Sequence, residues 1–273
     1  MKKNFYILLL ITSWSLSLFV FGQDSKPYDF YNPHLADTDA FSFPEYQVGK
    51  DEKPLKLWAT YYYLRQAKDL SGNIPLRDLN GEELGPKLSL DDWCHSALEG
   101  SVQVTSTDGE IKTYNYAGVS DDNIVDCSSI YKLKLGKTKF REAIGAYGDG
   151  FDGYILSPYR TLAADLTIYA LGTVVYIPQA RGAVIDTGKR KIIHDGYFYI
   201  ADKGGAIKGQ HVDVFIGNHT KANFFPWIKS KASGTFQAYE VKDQRIIKEL
   251  DRLHMPFILP PIDIYNPQNI IFN

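Results

Sequence analysis

The stretch that most constrains the fold runs from His194 to Gly217. Tyr197-Phe198-Tyr199-Ile200-Ala201 and His211-Val212-Asp213-Val214-Phe215 are aromatic and β-branched runs of strand length. The segment between them, Lys203-Gly204-Gly205-Ala206-Ile207-Lys208-Gly209, is rich in glycine and lysine. Such a pattern reads as two apolar strands with a connecting loop. Asp202 closes the first strand and Asp213 lies inside the second. Upstream, Thr161-Leu162-Ala163-Ala164-Asp165 precedes a turn and a third apolar run, Leu171 to Pro178. Three aspartates therefore punctuate one small β-rich module.

Elsewhere the periodicity is mixed. Leu55 to Leu64, rich in Trp and Tyr, is the first strong strand signal. Glycine, asparagine and proline interrupt the chain repeatedly from Ser71 to Pro86, which predicts loops. Ser89 or Asp91 is placed to cap a short helix through Trp93 to Glu99. Ser101 to Val104 and Ile111 to Tyr116 alternate about Asp108-Gly109, a hairpin signal, and Tyr131, Leu133 and Leu135 alternate as well. Ile246, Ile247, Leu250 and Leu253 share a helical face. No internal repeat is visible.

The segments Ala164-Asp165, Gly172-Thr173 to Ile177-Pro178, Ala201 to Gly209 and Val212-Asp213-Val214-Phe215 together resemble the three-aspartate domain of membrane-bound lytic transglycosylase A and related bacterial wall proteins. Trp58-Ala59-Thr60-Tyr61-Tyr62 is similar to the Thr-Xaa-Tyr-Tyr entry strand of that family. The resemblance implies a mainly β chain, a double-psi β-barrel with a small inserted α+β subdomain, that binds peptidoglycan glycan strands. On this expectation residues 1–22 are a signal peptide, 23–53 an arm or linker, 54–79 the first barrel segment and 80–145 the insertion. Residues 146–222 are the three-aspartate barrel segment, and 223–273 a C-terminal extension.

Lys2 and Lys3, an apolar run from Phe5 to Phe21 and the small residues of Val20-Phe21-Gly22 predict export with cleavage before Gln23. A permanent anchor is the competing reading, because the run approaches the roughly 20 residues that span a bilayer. No cysteine stands near the cleavage point, so a lipid anchor is not expected. The expected location is the periplasm or cell envelope, without a stable membrane anchor, and the expected state a monomer. Net charge is −2, and loss of the two lysines takes it to −4. So mild an acidic balance leaves no footprint for nucleic acid. Cys94 and Cys127 are the two cysteines; export makes a disulfide between them plausible, and two buried thiols are the alternative. The six histidines form no pair at helical metal spacing, so neither a metal nor a cofactor is expected.

Hydrolytic glycosidases usually use two carboxyl groups. A lytic transglycosylase needs one that acts as acid and then as base, closing a 1,6-anhydro ring with the sugar's own C6 hydroxyl. That carboxyl must begin protonated, which requires burial or a neighbouring negative charge. Asp202 is the candidate, from its place after an apolar strand and before Gly204 and Gly205, which would let a sugar approach the backbone. The resemblance implies the same assignment. Asp165, Asp213 and Lys208 are supporting candidates. Aspartates at strand ends also satisfy turn amides, which is the structural reading of Asp165 and Asp213. Thr60, Tyr62 and Tyr159 are candidates for a sugar-binding wall, with Trp58 on the same strand face as Thr60 and Tyr62. The expected activity is that of a peptidoglycan lytic transglycosylase cleaving the β-1,4 bond between N-acetylmuramic acid and N-acetylglucosamine, with Asp202 as acid and then base. Two rivals stay open: a binding-only or wall-loosening barrel, and a two-carboxylate hydrolase.

Overall fold

A computed structural model describes residues 41–188 and 191–255. The expected signal peptide lies outside the described residues, as do most of the expected arm and the end of the C-terminal extension. The chain forms β1 (Leu55–Tyr62), β2 (Arg65–Lys68), β3 (Ile74–Arg77), β4 (Glu83–Leu88), α1 (Leu90–Glu99), β5 (Ser101–Thr105), β6 (Ile111–Val119) and β7 (Thr138–Glu142). It continues with β8 (Thr161–Ala164), β9 (Val174–Tyr176), β10 (Val184–Asp186), β11 (Lys191–Ile193), β12 (Tyr197–Asp202), β13 (His211–Phe215), β14 (Phe236–Glu240) and α2 (Gln244–His254).

Six of these strands close a barrel in the order β1, β13, β8, β12, β9, β14. This is the mainly β barrel architecture expected from the sequence. β1 and β13 run parallel, as do β8 and β12, and the remaining neighbours are antiparallel. Leu57, Ala59, Leu162, Ala164, Val175, Phe198, Ile200, Val212 and Val214 fill the interior. They alternate along their strands, so the intervening residues face out. Val174, Tyr176, Tyr197, Tyr199 and Ala201 are the outward set on one side, covered by Ile246 and Leu250 of α2.

The other large unit lies between β1 and β8. β2, β5, β6 and β7 form a four-stranded sheet, and β3 and β4 a separate ribbon. With α1 they enclose a second core of Leu76, Leu88, Trp93, Val102, Val104 and Phe140. Residues 65–79, grouped with the barrel in the sequence reading, carry β2 and β3, which pair within this second layer. β14, from the expected C-terminal extension, is a barrel strand. α1 begins as expected at Ser89, whose side chain accepts from the Asp92 amide. Cys94 on α1 and Cys127 form a disulfide. Tyr131, Leu133 and Leu135 do not form a strand despite their alternation. The turn at Cys127, whose carbonyl takes the amides of Ile130 and Tyr131, directs that segment instead.

Candidate active site

Strand register explains how distant residues meet. Asp202 on β12 lies opposite Ala163 on β8, Ala163 opposite Asp213 on β13, and Asp213 opposite Thr60 on β1. Direct cross-strand partners share a face, so these four form one row on the barrel's outer surface. Strict alternation would send Asp202 inward with Phe198 and Ile200. A register shift between Ile200 and Asp202 prevents this. The extra residue turns Asp202 to the outer face, as a β-bulge does. A side chain at Gly150 would collide with the Ala201 carbonyl, so only glycine lets this loop lie against the bulge. Ala163, the small member of the row, leaves the two aspartates without a bulky spacer between them.

Each aspartate is held by a hydroxyl from β1. Tyr62 donates to Asp202 Oδ2 at 3.0 Å, and the Lys203 amide donates to Oδ1 at 2.8 Å. Thr60 donates to Asp213 Oδ1 at 2.8 Å and lies 2.8 Å from His211 Nε2. Among the described residues Asp213 Oδ2 takes no hydrogen bond. Trp58 stacks flat on the His211 ring at 3.6 Å, and Tyr62 packs against Phe215. The alternating face of Trp58, Thr60 and Tyr62 thus meets the aspartate row.

No cation neutralises the two carboxyl groups at hydrogen-bonding range among the described residues. Burial raises Asp202 to about 7, with the charge of Asp213 adding to it and the Lys203 amide, the Tyr62 hydroxyl and the Lys203 charge opposing. Burial also raises Asp213 to about 6, against the pull of Thr60. Tyr62 is pushed well above its ordinary value by burial and by both aspartates. A third carboxyl, Glu99 at the end of α1, accepts from the Tyr63 amide at 3.3 Å. It is raised to about 7, first by burial and further by Asp213. Sequence reasoning missed Glu99, because its only local signal is an acid in the last turn of a helix, where acids are disfavoured.

The remaining candidates separate. Asp165 is buried and accepts from the Thr167 amide and hydroxyl and from the Gly209 amide. These bonds, led by Gly209, lower its pKa, and Lys208 lowers it further. Asp165 thus fastens the loop between β12 and β13, and Lys208 lies on that loop, exposed. A Cβ on Gly204 would press on Ile207, whereas Gly205 faces open space. Tyr159, expected on a sugar-binding wall, is buried in the barrel core with its hydroxyl 2.7 Å from His219 Nδ1. Its positive φ of 63° turns the ring inward from the start of β8 and against Phe224. Among the described residues no group of three or more His, Cys, Asp or Glu is placed to hold a metal ion. None of the described helices is long and apolar enough to cross a membrane.

The architecture is that of a closed β-barrel bearing, on its outer face beside an inserted layer, a carboxyl pair with no ion-pair partner among the described residues. Residues 160–231 match the 3D domain family. No curated protein matches the chain by sequence. Among solved structures, MltA from Escherichia coli with bound chitohexaose is similar at 15% identity over 68% of this chain and 72% of that one, with a TM-score of 0.48. A membrane-bound lytic murein transglycosylase from Agrobacterium tumefaciens is similar at 14% identity over 71% and 75%, TM-score 0.46. The lytic transglycosylase LtgG of Burkholderia pseudomallei follows the chain over 69% and 73% at 18% identity, TM-score 0.38.

Proposed function

We propose that the protein is an exported peptidoglycan lytic transglycosylase that cleaves the β-1,4 bond between N-acetylmuramic acid and N-acetylglucosamine. The observation that carries this reading is the Asp202 and Asp213 pair, raised in proton affinity and lying in the segment that matches the 3D domain. A neutral carboxyl protonates the glycosidic oxygen, and the C1–O bond breaks. The muramic C6 oxygen bonds to C1, and its proton passes to the carboxylate left behind. One group is thereby restored and no water is consumed. The groove for the glycan is the outer barrel face at Trp58, Thr60 and Tyr62, opposite the inserted layer.

Asp202 is our first candidate for the acid, since its raised value near 7 keeps much of it neutral at neutral pH. A second reading is favoured by one specific observation. Both Asp202 oxygens accept hydrogen bonds, whereas Asp213 Oδ2 is left for a substrate oxygen. Under that reading the two carboxyl groups titrate as a coupled pair, and Asp213 delivers the proton they hold between them. Digestion of purified peptidoglycan, followed by product mass, tests the reaction. Anhydromuropeptides are expected. Products heavier by one water would mean hydrolysis, and unchanged glycan a binding module. Mass spectrometry of the protein from the cell envelope should find a mature N-terminus at or near Gln23; an intact Met1 terminus would overturn export by cleavage.

A further inference from the structure

Glu99 is a carboxyl that the inserted layer supplies beside the site. Its backbone belongs to the last turn of α1, and its side chain reaches across to accept the Tyr63 amide at the end of β1. The two preceding outward residues of β1, Thr60 and Tyr62, are the ones that hold Asp213 and Asp202. Three carboxyl groups therefore hang on four consecutive residues, 60–63, at the end of β1 and just beyond it.

The placement of Glu99 is unfavourable on two counts. The C-terminal end of a helix carries partial negative charge, and the last turn of α1 holds no basic residue to offset an acid there. Nor, among the described residues, does a cation pair with it from another element. Arg65, the nearest candidate on β2, is taken by Asp91 and Asp92 at 2.8 and 2.7 Å. The groups that do face Glu99 are Tyr62 from β1, Tyr63 just beyond it, Asp213 from β13 and Tyr131 from the turn after the disulfide. Half-buried acids without a partner are costly for folding, and they concentrate where chemistry uses them.

We propose that Glu99 is a positioning residue of this site, and that its charge governs how firmly the Asp202 and Asp213 pair keeps its proton. Coupling between titrating groups is reciprocal, so a charge on Asp213 that raises Glu99 implies that a charge on Glu99 raises Asp213. Glu99 gains its charge as pH rises through about 7, the range in which the pair loses its proton. The inserted layer thus extends the working range of the barrel's acid upward in pH. Only the kinetic consequence rests on the lytic reading of the site.

The direct test is a carboxyl-detected NMR titration of the full mature chain. Glu99 should titrate near neutral pH in the wild type, and its midpoint should fall in Asp213→Asn by roughly half a unit or more. A Glu99 midpoint in the ordinary glutamate range, or one unmoved in Asp213→Asn, would overturn the proposal whatever the enzyme does to glycan. In activity, Glu99→Gln keeps an acceptor for the Tyr63 amide but carries no charge. The alkaline limb of kcat/KM should move to lower pH by roughly half a unit. A uniform loss at all pH values, with no movement of the limb, would reduce Glu99 to a structural contact. Absence of anhydromuropeptides from the wild type would defeat the lytic reading and leave the titration result standing.

Discussion

The barrel holds two sets of aspartates whose fates are opposite. Asp195 sits beneath the barrel end next to Arg160, whose guanidinium is wholly buried and bonds both carboxyl oxygens at 2.6 and 2.7 Å. Burial there works to raise Asp195, but the charge and hydrogen bonds of Arg160 outweigh it and hold the carboxyl below its ordinary value. Phe41 lies over the guanidinium at 4.1 Å, and the Phe43 amide gives Asp195 Oδ2 another donor. Asp202 and Asp213 receive hydroxyl and amide donors but no such cation, and they rise. Burial is common to both sites, so the partners decide: a buried guanidinium on both oxygens holds Asp195 low, whereas the fewer, neutral donors at Asp202 and Asp213 do not offset burial.

Removing the acid should have the largest effect. Asp202→Asn and Asp213→Asn each keep size and hydrogen bonding, and the variant that removes the proton donor should lose turnover by at least roughly 10²–10⁴-fold with glycan binding retained. The other should be milder, and anhydromuropeptide release measured on both assigns the acid between the two readings. If both variants release products at near wild-type rates, the comparison between the two sites loses its functional meaning.

At the opposite site the cost should appear in stability. Arg160→Met strands the Asp195 carboxylate in the core and should destabilise the fold by about 3–5 kcal/mol, read by denaturant titration. The disulfide tests the inserted layer separately. Cys94 and Cys127 are separated by 33 residues, and replacing both with alanine should cost about 2–4 kcal/mol. Two alkylatable thiols in the unreduced exported protein would show that the bridge is absent there.

The smallest effect has the sharpest sign. Asp202 binds its proton more tightly folded than at the ordinary value of 3.8, so the folded chain holds more protons between about pH 4 and 7. Stability from this group is therefore present at low pH and lost as pH rises through about 7. Asn at this position escapes that loss, and the melting temperature of Asp202→Asn relative to wild type should be higher at pH 8 than at pH 4. Asp195 behaves conversely: its stabilisation is present above the ordinary value and lost as pH falls through its lower folded value. A variant profile at Asp202 that followed the Asp195 pattern would mean that its carboxyl is charged at rest.

Much of this was legible locally. The apolar alternation of β1, β12 and β13, the capped start of α1 and the amphipathic face of α2 all follow from short-range pattern, and each forms about where its residues predict. The resemblance marked Asp202, Asp213 and Thr60 as residues of one site before any register was available. Tyr159 shows where local pattern stops: a tyrosine at a strand start reads the same whether its ring turns outward or, as here, packs into the core on a positive φ.

Local pattern is enough to set which segments are strands, that the chain is mainly β, and that Asp165, Asp202 and Asp213 punctuate one module. What those aspartates became was settled by long-range packing. The bulge that turns Asp202 outward is one residue of slippage between β12 and β8. The row of Asp202, Ala163, Asp213 and Thr60 depends on parallel pairing between strands some 150 residues apart. Glu99 enters from another layer altogether. Proton affinity is set by what surrounds a group at a few ångströms, and that neighbourhood is assembled by long-range pairing, which no local pattern of residues encodes.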